Sequence, residues 1–596
     1  MRIYISFIFL LLTISYPVLA QSTSEDSCVV LKNENQLLPI KDLLQYNIGL
    51  LDFSINANSN KSSDELLNEL NKYSEVKNVT SGDAFEQDLL ICTITSKNVD
   101  WELLYRVLKL SPKKKIILVS FIPLSSIKFN DYIFESDVLI QFDKLNSVSM
   151  RNASEIIFGG KACYGKLVNP IEGRYEANFG ISLENKIRMG YGNPEEEGLN
   201  SEFIDRKVDS IMSKAIDKHA FPGAQLLVAK NNTIIYHKAF GYHTYDKKYK
   251  VTNNDLYDLA SVTKITGPLP VLMQLVDNGV IDIDEKFSHY WKPWRKIKNK
   301  KDITVREVLA HQAGLEPYYI FLNEIIKDKE FVKRFVRNEP SKKFSIQIYK
   351  NLYLNNRFHK KMYRIINKTP VSAVKKYKYS GLTFLLYPEI ISQLTGVSYE
   401  KYVTDSIYSP LGAENLMFNP SGKYSEDLIV PTELDTIYRK EFVKGWVHDE
   451  NASLLGGVSG NAGLFGTAND LAKLIAMYQN MGTYGGKRYI SEKTLKEFSK
   501  VQYPENDNKR GLGFDKPLLN NASLDISHAS PAPEVSPKSF GHGGFTGTYV
   551  WADPENKLMF IFLSNRVYPT RDNRNLYSLN IRPSLQQVFY KASSVE

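Results

Sequence analysis

The sequence predicts an α/β architecture in two parts: an open sheet sandwiched by helices, followed by a mixed antiparallel sheet with helices plus an all-helical region. Three observations carry this reading. The chain has 596 residues, more than a single hydrophobic core organises. From residue 28 to about residue 181, short apolar runs alternate with helically spaced ones, the pattern of a sheet covered on both faces. From residue 201 a helix and a hairpin open a second unit that another hairpin and a helix close, with long helical patterning between.

The amino-terminal residues read as an export signal. Met1-Arg2 gives a short basic start, residues 3–19 are an apolar run, and Val18-Leu19-Ala20 supplies the small-residue pattern before a cleavage site, so residues 1–20 are expected to be removed on export to the periplasm or the extracellular space. Pro17 and the small residues sit where a membrane span would continue, so no transmembrane anchor is expected after cleavage. Glu25-Asp26-Ser27 ahead of Cys28 lacks the small, apolar lead-in of a lipid-attachment site. The other cysteines are Cys92 and Cys163; one disulfide is permitted in an exported protein, and the odd count leaves one thiol over. Cys92, inside Leu89-Leu90-Ile91-Cys92, reads as a buried strand residue, and the spacing of the three gives no metal site.

Hydrophobic residues make up 43% and charged residues 24% of the chain, an ordinary globular balance. The formal net charge is +9, but lysines and arginines are scattered. The densest run, Trp294-Arg295-Lys296-Ile297-Lys298-Asn299-Lys300-Lys301, reads as a solvated loop, and with no stripe or recognisable module no nucleic-acid partner is expected.

In the first part, strands are predicted at 47–53, 88–95, 115–122 and 137–142, with helices at 62–72, 101–110 and 147–158. The opening Cys28-Val29-Val30-Leu31-Lys32-Asn33-Glu34-Asn35-Gln36-Leu37-Leu38-Pro39 resembles the start of the carboxy-terminal domain of family-three glycoside hydrolases, and the closing Glu155-Ile156-Ile157-Phe158-Gly159-Gly160-Lys161-Ala162-Cys163-Tyr164-Gly165-Lys166-Leu167 resembles its end. The resemblance implies a domain over 28–185. In that family the preceding barrel carries the nucleophile, and with no room for a barrel ahead of Cys28 the domain is expected to be non-catalytic.

A Gly-, Asn- and Glu-rich linker around 191–200 leads to a second domain, expected over 197–592. A helix is predicted at 201–219, then strands at 224–229 and 233–240 about the turn Lys230-Asn231-Asn232. Strands at 548–551 and 557–563 flank Asp553-Pro554-Glu555-Asn556, and a helix at 583–590 closes the unit.

The chemistry centres on Asp258-Leu259-Ala260-Ser261-Val262-Thr263-Lys264. Ser-x-x-Lys spacing also occurs at Ser74, Ser111, Ser125, Ser372 and Ser398, so the spacing alone selects nothing. Ser261 differs because it opens an apolar helical run through Leu269, Leu272 and Leu275 that ends at Asn278-Gly279. Residues three apart share a helix face, so the Lys264 amine reaches the Ser261 hydroxyl. The helix start offers unpaired N–H groups and positive potential, which favour an activated hydroxyl and an oxyanion.

Further motifs follow in the order of the serine β-lactamase and penicillin-binding-protein superfamily, including its class C-like and esterase-like members. Thr304-Val305-Arg306-Glu307-Val308-Leu309-Ala310-His311-Gln312-Ala313-Gly314-Leu315 is similar to the helix–turn behind that family's site. Lys378-Tyr379-Ser380-Gly381 stands where the family has Tyr-x-Asn or Tyr-Ser-Asp, and Phe540-Gly541-His542-Gly543-Gly544-Phe545 where it has Lys/His-Thr-Gly. Val447-His448-Asp449-Glu450-Asn451-Ala452 and Gly456-Gly457-Val458-Ser459-Gly460-Asn461-Ala462-Gly463-Leu464-Phe465 resemble a stretch common in its exported members.

The resemblance implies Ser261 as the acylated nucleophile, with Tyr379 as proton shuttle to Lys264. It implies an oxyanion hole of the Ser261 and Phe545 N–H groups, and a substrate wall shaped by His542 and Gly544. It implies no cofactor and no metal. The substrate would be a small molecule or peptide with an amide or ester bond: a D-alanyl peptide of cell-wall origin, a β-lactam or a small ester. Two departures stand out: Gly381 replaces an amide or carboxylate, and Gly543 replaces a threonine. They leave open a degenerate fold kept for binding at the cell envelope. His311 is expected to pack and hydrogen-bond, His448 to cap a loop or touch substrate, and the basic, aromatic insertion at 318–378 to form cavity wall and solvated surface.

Overall fold

The computed structural model describes residues 28–55, 59–80, 82–109, 114–128, 131–184 and 186–593. The expected export signal and Ser111 lie outside them. The first sheet contains β1 (Cys28–Asn33), β2 (Ile48–Asp52), β3 (Val76–Asn78), β4 (Leu89–Ile94), β5 (Lys115–Ser120) and β6 (Val138–Phe142), in the order β1-β6-β5-β4-β2-β3. All neighbours are parallel except β1, which runs antiparallel to β6 along the edge. The four strands read from apolar runs are β2, β4, β5 and β6; β1 and the three-residue β3 are additions at the two edges.

Helices α1 (Ser59–Leu70), α2 (Trp101–Leu108) and α3 (Ser147–Phe158) cover this sheet. Strand side chains alternate between its faces. Leu50, Ile91, Ile117 and Ile140 pack with Leu66 and Leu70 of α1 and Ile157 of α3, whereas Leu51, Leu90, Leu118 and Leu139 pack with Leu104 and Val107 of α2. Parallel strands covered on both faces read as continuous apolar runs, which is why the sequence exposed them. Helix α3 starts at Asn146, whose side chain accepts the Ser149 N–H, and stops at Gly159, where φ is +77°.

The two parts meet through a buried arginine. Arg188 donates to the carbonyls of Ile40 (2.6 Å), Phe158 (2.8 Å) and Lys41 (2.8 Å), and Tyr73 donates to Met189 O at 2.8 Å. The segment read as a linker is therefore partly structural: β7 (Gly190–Tyr191) pairs with the second sheet.

After α4 (Ser201–Asp217), the hairpin β8 (Gly223–Lys230) and β9 (Thr233–Gly241) enters the second sheet. The run behind Ser261 is two helices, α5 (Thr263–Thr266) and α6 (Pro268–Asp277), and not the single one its periodicity suggests. The break comes at Pro268, which has no N–H to donate and opens the second helix, and Gly267 before it leaves helical geometry at a point where a Cβ would collide with the Tyr399 hydroxyl. The basic insertion forms a small sheet from Val336–Arg337, Ile346–Tyr349 and Leu352–Leu354, followed by α7 (Phe358–Lys368).

Helix α8 (Ala468–Gln479), strands β10 (Phe540–Gly543), β11 (Tyr549–Asp553) and β12 (Leu558–Ser564), and helix α9 (Ile581–Lys591) complete the unit. The sheet order is β10-β11-β12-β8-β9-β7. Every residue of β12 is buried because both faces are covered. Phe560 and Phe562 pack with Val208 of α4 and Leu585 of α9, while Met559 and Ile561 pack with Leu471 of α8 and the helical region. Among the described residues, no helix is long and apolar enough to cross a membrane.

The Sγ atoms of Cys28 and Cys163 stand 3.5 Å apart, joining the start of β1 to the segment after α3. Hydrogen bonding with the Cys28 thiol, opposed by burial, draws Cys163 down to about 7. Cys92 is buried within β4, and burial pushes its thiol up. Since thiolate character governs reactivity, a disulfide reagent is expected to couple Cys28 with Cys163 and spare Cys92. Denatured, oxidised protein should show one titratable thiol, and its Cys92→Ser variant none; three thiols in the oxidised protein would refute the pairing.

Candidate active site

The Ser261 segment begins on a strained residue. Ala260 has φ +46°, in the left-handed region that costs a side-chain-bearing residue energy. It is held there by Asp258, whose buried carboxylate accepts the Ala260 N–H at 2.8 Å and the His448 N–H at 2.6 Å. This turn puts Ser261 at the head of the helical turns, partly exposed, with Lys264 one turn later and buried.

Lys264 Nζ donates to Ser261 Oγ at 2.8 Å and to the Asn461 carbonyl at 2.9 Å. Tyr379 Oη donates to Ser261 Oγ at 3.4 Å. The ammonium also faces the rings of Tyr379 and Phe384, 5.4 Å and 5.6 Å from their centroids. Of the other Ser-x-x-Lys pairs, Lys77, Lys375 and Lys401 engage the carboxylates of Glu75, Glu307 and Asp405 instead. The structure thus brings Ser261, Lys264 and Tyr379 onto one hydroxyl oxygen.

Tyr379 is fixed from behind. The His311 ring lies 4.5 Å from it and the Arg510 guanidinium 5.6 Å. His311 Nδ1 accepts the Ser380 N–H at 3.2 Å. Burial first, then the charges of Arg510 and Lys264, holds His311 well below the usual histidine range, so it is a neutral acceptor. Arg510 is itself buried and paired with Asp515. His542 lies on β10 with its ring 6.2 Å from Tyr379, and Nδ1 bonds the Gly543 carbonyl at 2.8 Å. Burial is the main cause that lowers His542 to about 3.

The turn between β10 and β11 is stapled to the nucleophile segment. Thr546 Oγ1 donates to Asp258 O at 2.7 Å and Thr548 Oγ1 to Leu259 O at 2.9 Å. A Cβ at Gly544 would stand 2.6 Å from Leu259 O, so only glycine permits this approach. Among the described residues, neither the Ser261 nor the Phe545 backbone N–H has an intramolecular acceptor. The Phe545 ring rests between Arg566, at 4.4 Å, and His448, at 5.8 Å, while Arg566 Nε donates to the Phe545 carbonyl at 2.9 Å. Two free N–H groups beside an activated hydroxyl are the requirement for stabilising an oxyanion.

The departures are side-chain deletions in open space. A Cβ at Gly381 would meet only Pro317 O, at 3.7 Å, and its φ of −82° suits any residue. A Cβ at Gly543 would lie 3.3 Å from Arg582 Nη1, the end of a flexible side chain.

Sequence reasoning missed Asn461, Asp258 and Arg510. Asn461 lies in a quoted motif but acts through its carbonyl, which residue identity does not advertise. Asp258 and Arg510 act by burial. His448 sits behind the Phe545 ring with Nε2 on Glu433 at 2.6 Å, while its neighbour Asp449 accepts the Ala452 N–H and caps the next helix.

Residues 206–581 match the protein family described as Beta-lactamase. A Salmonella typhimurium protein named "Putative D-alanyl-D-alanine carboxypeptidase" is 31% identical over 424 residues, which cover 66% of this chain and 90% of that protein. Among solved structures, a penicillin-binding-protein homologue from Caulobacter crescentus aligns at 17% identity with a TM-score of 0.46, covering 65% of this chain and 98% of its own. A class C β-lactamase from Rhodobacter sphaeroides aligns at 14% identity with a TM-score of 0.45, covering 65% and 99%.

The buried neutral histidines carry a pH signature. An unfolded histidine titrates near ~6.5, whereas folded His542 does so at about 3. Between those values the unfolded chain binds more protons, so stability present above about 6.5 is lost as pH falls. His542→Gln should flatten this acid limb by up to about 1.4 kcal/mol per pH unit, measured as urea midpoints across pH. An unchanged slope would mean that His542 is protonated in the fold.

Proposed function

The chain belongs to the β-lactamase family, and on that premise we propose an exported serine hydrolase that cleaves amide or ester bonds through an acyl-enzyme on Ser261. The observation that carries it is the convergence of Lys264 Nζ and Tyr379 Oη on Ser261 Oγ. In this reading the reactive form of the Lys264–Tyr379 pair carries one proton fewer than ammonium plus phenol, and Oγ attacks the carbonyl carbon as its own proton passes into that vacancy. The Ser261 and Phe545 N–H groups receive the developing oxyanion. The pair then returns the proton to the departing amine or alcohol, and water attacking the acyl carbon releases the acid and restores the hydroxyl.

Export is supported by residues 1–20, with the periplasm or extracellular space as destination. The first sheet is read as a non-catalytic module like the carboxy-terminal domain of family-three glycoside hydrolases, on the strength of its two end motifs. The substrate class is D-alanyl peptides, β-lactams or small esters. A relative's printed name favours the first. Gly381 and Gly543 favour esters, because they remove side-chain bonds worth about 0.5–1.5 kcal/mol each and leave the backbone donors untouched.

A fluorophosphonate probe should label the protein at Ser261, and Ser261→Ala should abolish labelling while Ser372→Ala retains it. Lys264→Ala and Tyr379→Phe should each slow acylation by on the order of 10²–10⁴, with the double variant little worse than the poorer single one. Labelling that survives Ser261→Ala would remove the mechanism. No labelling and no ester turnover by wild type would leave a binding role for the fold. Short aryl esters should be hydrolysed faster than β-lactams, and Gly381→Asn should shift the ratio towards β-lactams by up to about tenfold; an unchanged ratio would show that the missing amide does not set specificity.

A further inference from the structure

The insertion that precedes Tyr379 frames an open surface pocket of about 890 Å³ that shares no residue with the Ser261 site. One wall carries Arg334, Lys342 and Lys343, next to the small three-stranded sheet. The opposite wall is the start of α7, with Arg357, Lys360 and Lys361. Arg364 adds a seventh cation, and no aspartate or glutamate lines the space. Lys361 pairs with Glu324 at 2.6 Å; among the described residues, none of the other six lies at ion-pairing distance from a carboxylate.

Aromatic faces also line the space. Lys361 Nζ lies 4.6 Å from the Phe335 ring centroid and the Arg334 guanidinium 5.6 Å from it. The walls are fixed by their backbone: Asn355 N donates to Phe335 O at 2.8 Å, Asn356 N to Lys343 O at 2.9 Å and Asn356 Nδ2 to Lys342 O at 3.0 Å. The cations therefore project from a held frame, not from a loose loop.

Helix α7 makes the arrangement more unfavourable without a ligand. Its N-cap residue, Arg357, makes no side-chain capping bond, and its first turn contains no acidic residue. A helix start carries positive potential, so the three cations placed there oppose the dipole and one another. An anion would answer both costs, and concave walls of one charge sign focus the field on a ligand inside. The volume suits a discrete small molecule, and paired guanidinium and ammonium groups suit phosphate oxygens.

The geometry points to a binding site for a small soluble ligand carrying two or more phosphate groups in this cavity. Titration calorimetry with inorganic tripolyphosphate, at ionic strength held constant with sodium chloride, tests it on the full chain. One-to-one binding is expected, weakened about tenfold or more in Arg334→Ala/Arg357→Ala and unchanged in Lys493→Ala, a distant surface cation. Equal thermal transitions of the three proteins would show that the loss is local. Equal affinity of wild type and double variant overturns the proposal. So does binding only to phosphatidylglycerol vesicles with no response to tripolyphosphate, which would make the cavity a membrane-contact surface.

Discussion

The buried carboxylate of Asp258 accepts two backbone N–H groups, from Ala260 beside it and from His448, 190 residues further along. Burial tends to raise that carboxyl, and the His448 N–H is the strongest of the contacts opposing it. The first bond holds Ala260 in its left-handed conformation and so aims Ser261. The second draws in the segment whose histidine supports Phe545. Thr546 then bonds the carbonyl of Asp258 itself. One residue thereby sets the relative positions of the Ser261 hydroxyl, the Phe545 backbone and the β10–β11 turn. Removing the carboxyl group, as in Asp258→Ala, would leave two buried N–H groups without an acceptor, each costing about 1–3 kcal/mol.

The electrostatics around Tyr379 follow from the same economy of buried charge. Arg510 has Asp515; His311 stays neutral through burial and the charges of Arg510 and Lys264, and at His542 burial outweighs the Asp515 charge and the Gly543 carbonyl that favour the protonated ring. Lys264 is held by a hydroxyl and a backbone carbonyl, and among the described residues no carboxylate lies at ion-pairing distance from it. An ammonium has three donors. Two are committed, one of them to the Ser261 hydroxyl, so the amine is held by Ser261 and a carbonyl rather than by a salt bridge.

Much of this was legible in the sequence, for identifiable reasons. Parallel strands buried on both faces give unbroken apolar runs, so β2, β4, β5 and β6 stood out. Ser261, Lys264 and Tyr379 were legible through the order and spacing of their motifs. Edge strand β3 was not, because three residues with one buried are too short to show a period, and β1, whose Cys28–Leu31 run is buried like the others, was read only as part of an end motif. The break at Gly267-Pro268 is set by a local backbone rule, which the apolar periodicity of the run does not register. Asn461 acts through an atom that every residue possesses. The basic insertion read as solvated surface and cavity wall, but sequence could not show that its cations face one another across a gap.

The glycines at the substrate wall differ in how freely they can change. Gly544 is wedged against Leu259 O, so any side chain there would prise the β10–β11 turn from the nucleophile segment. Gly381 faces open space and Gly543 only the tip of an arginine. Heritable variation is thus partitioned by geometry: the anion cradle is frozen, whereas two neighbouring positions can be rewritten one codon at a time. A lineage with this wall could change these two side chains without disturbing the β10–β11 turn or the Ser261 segment it holds.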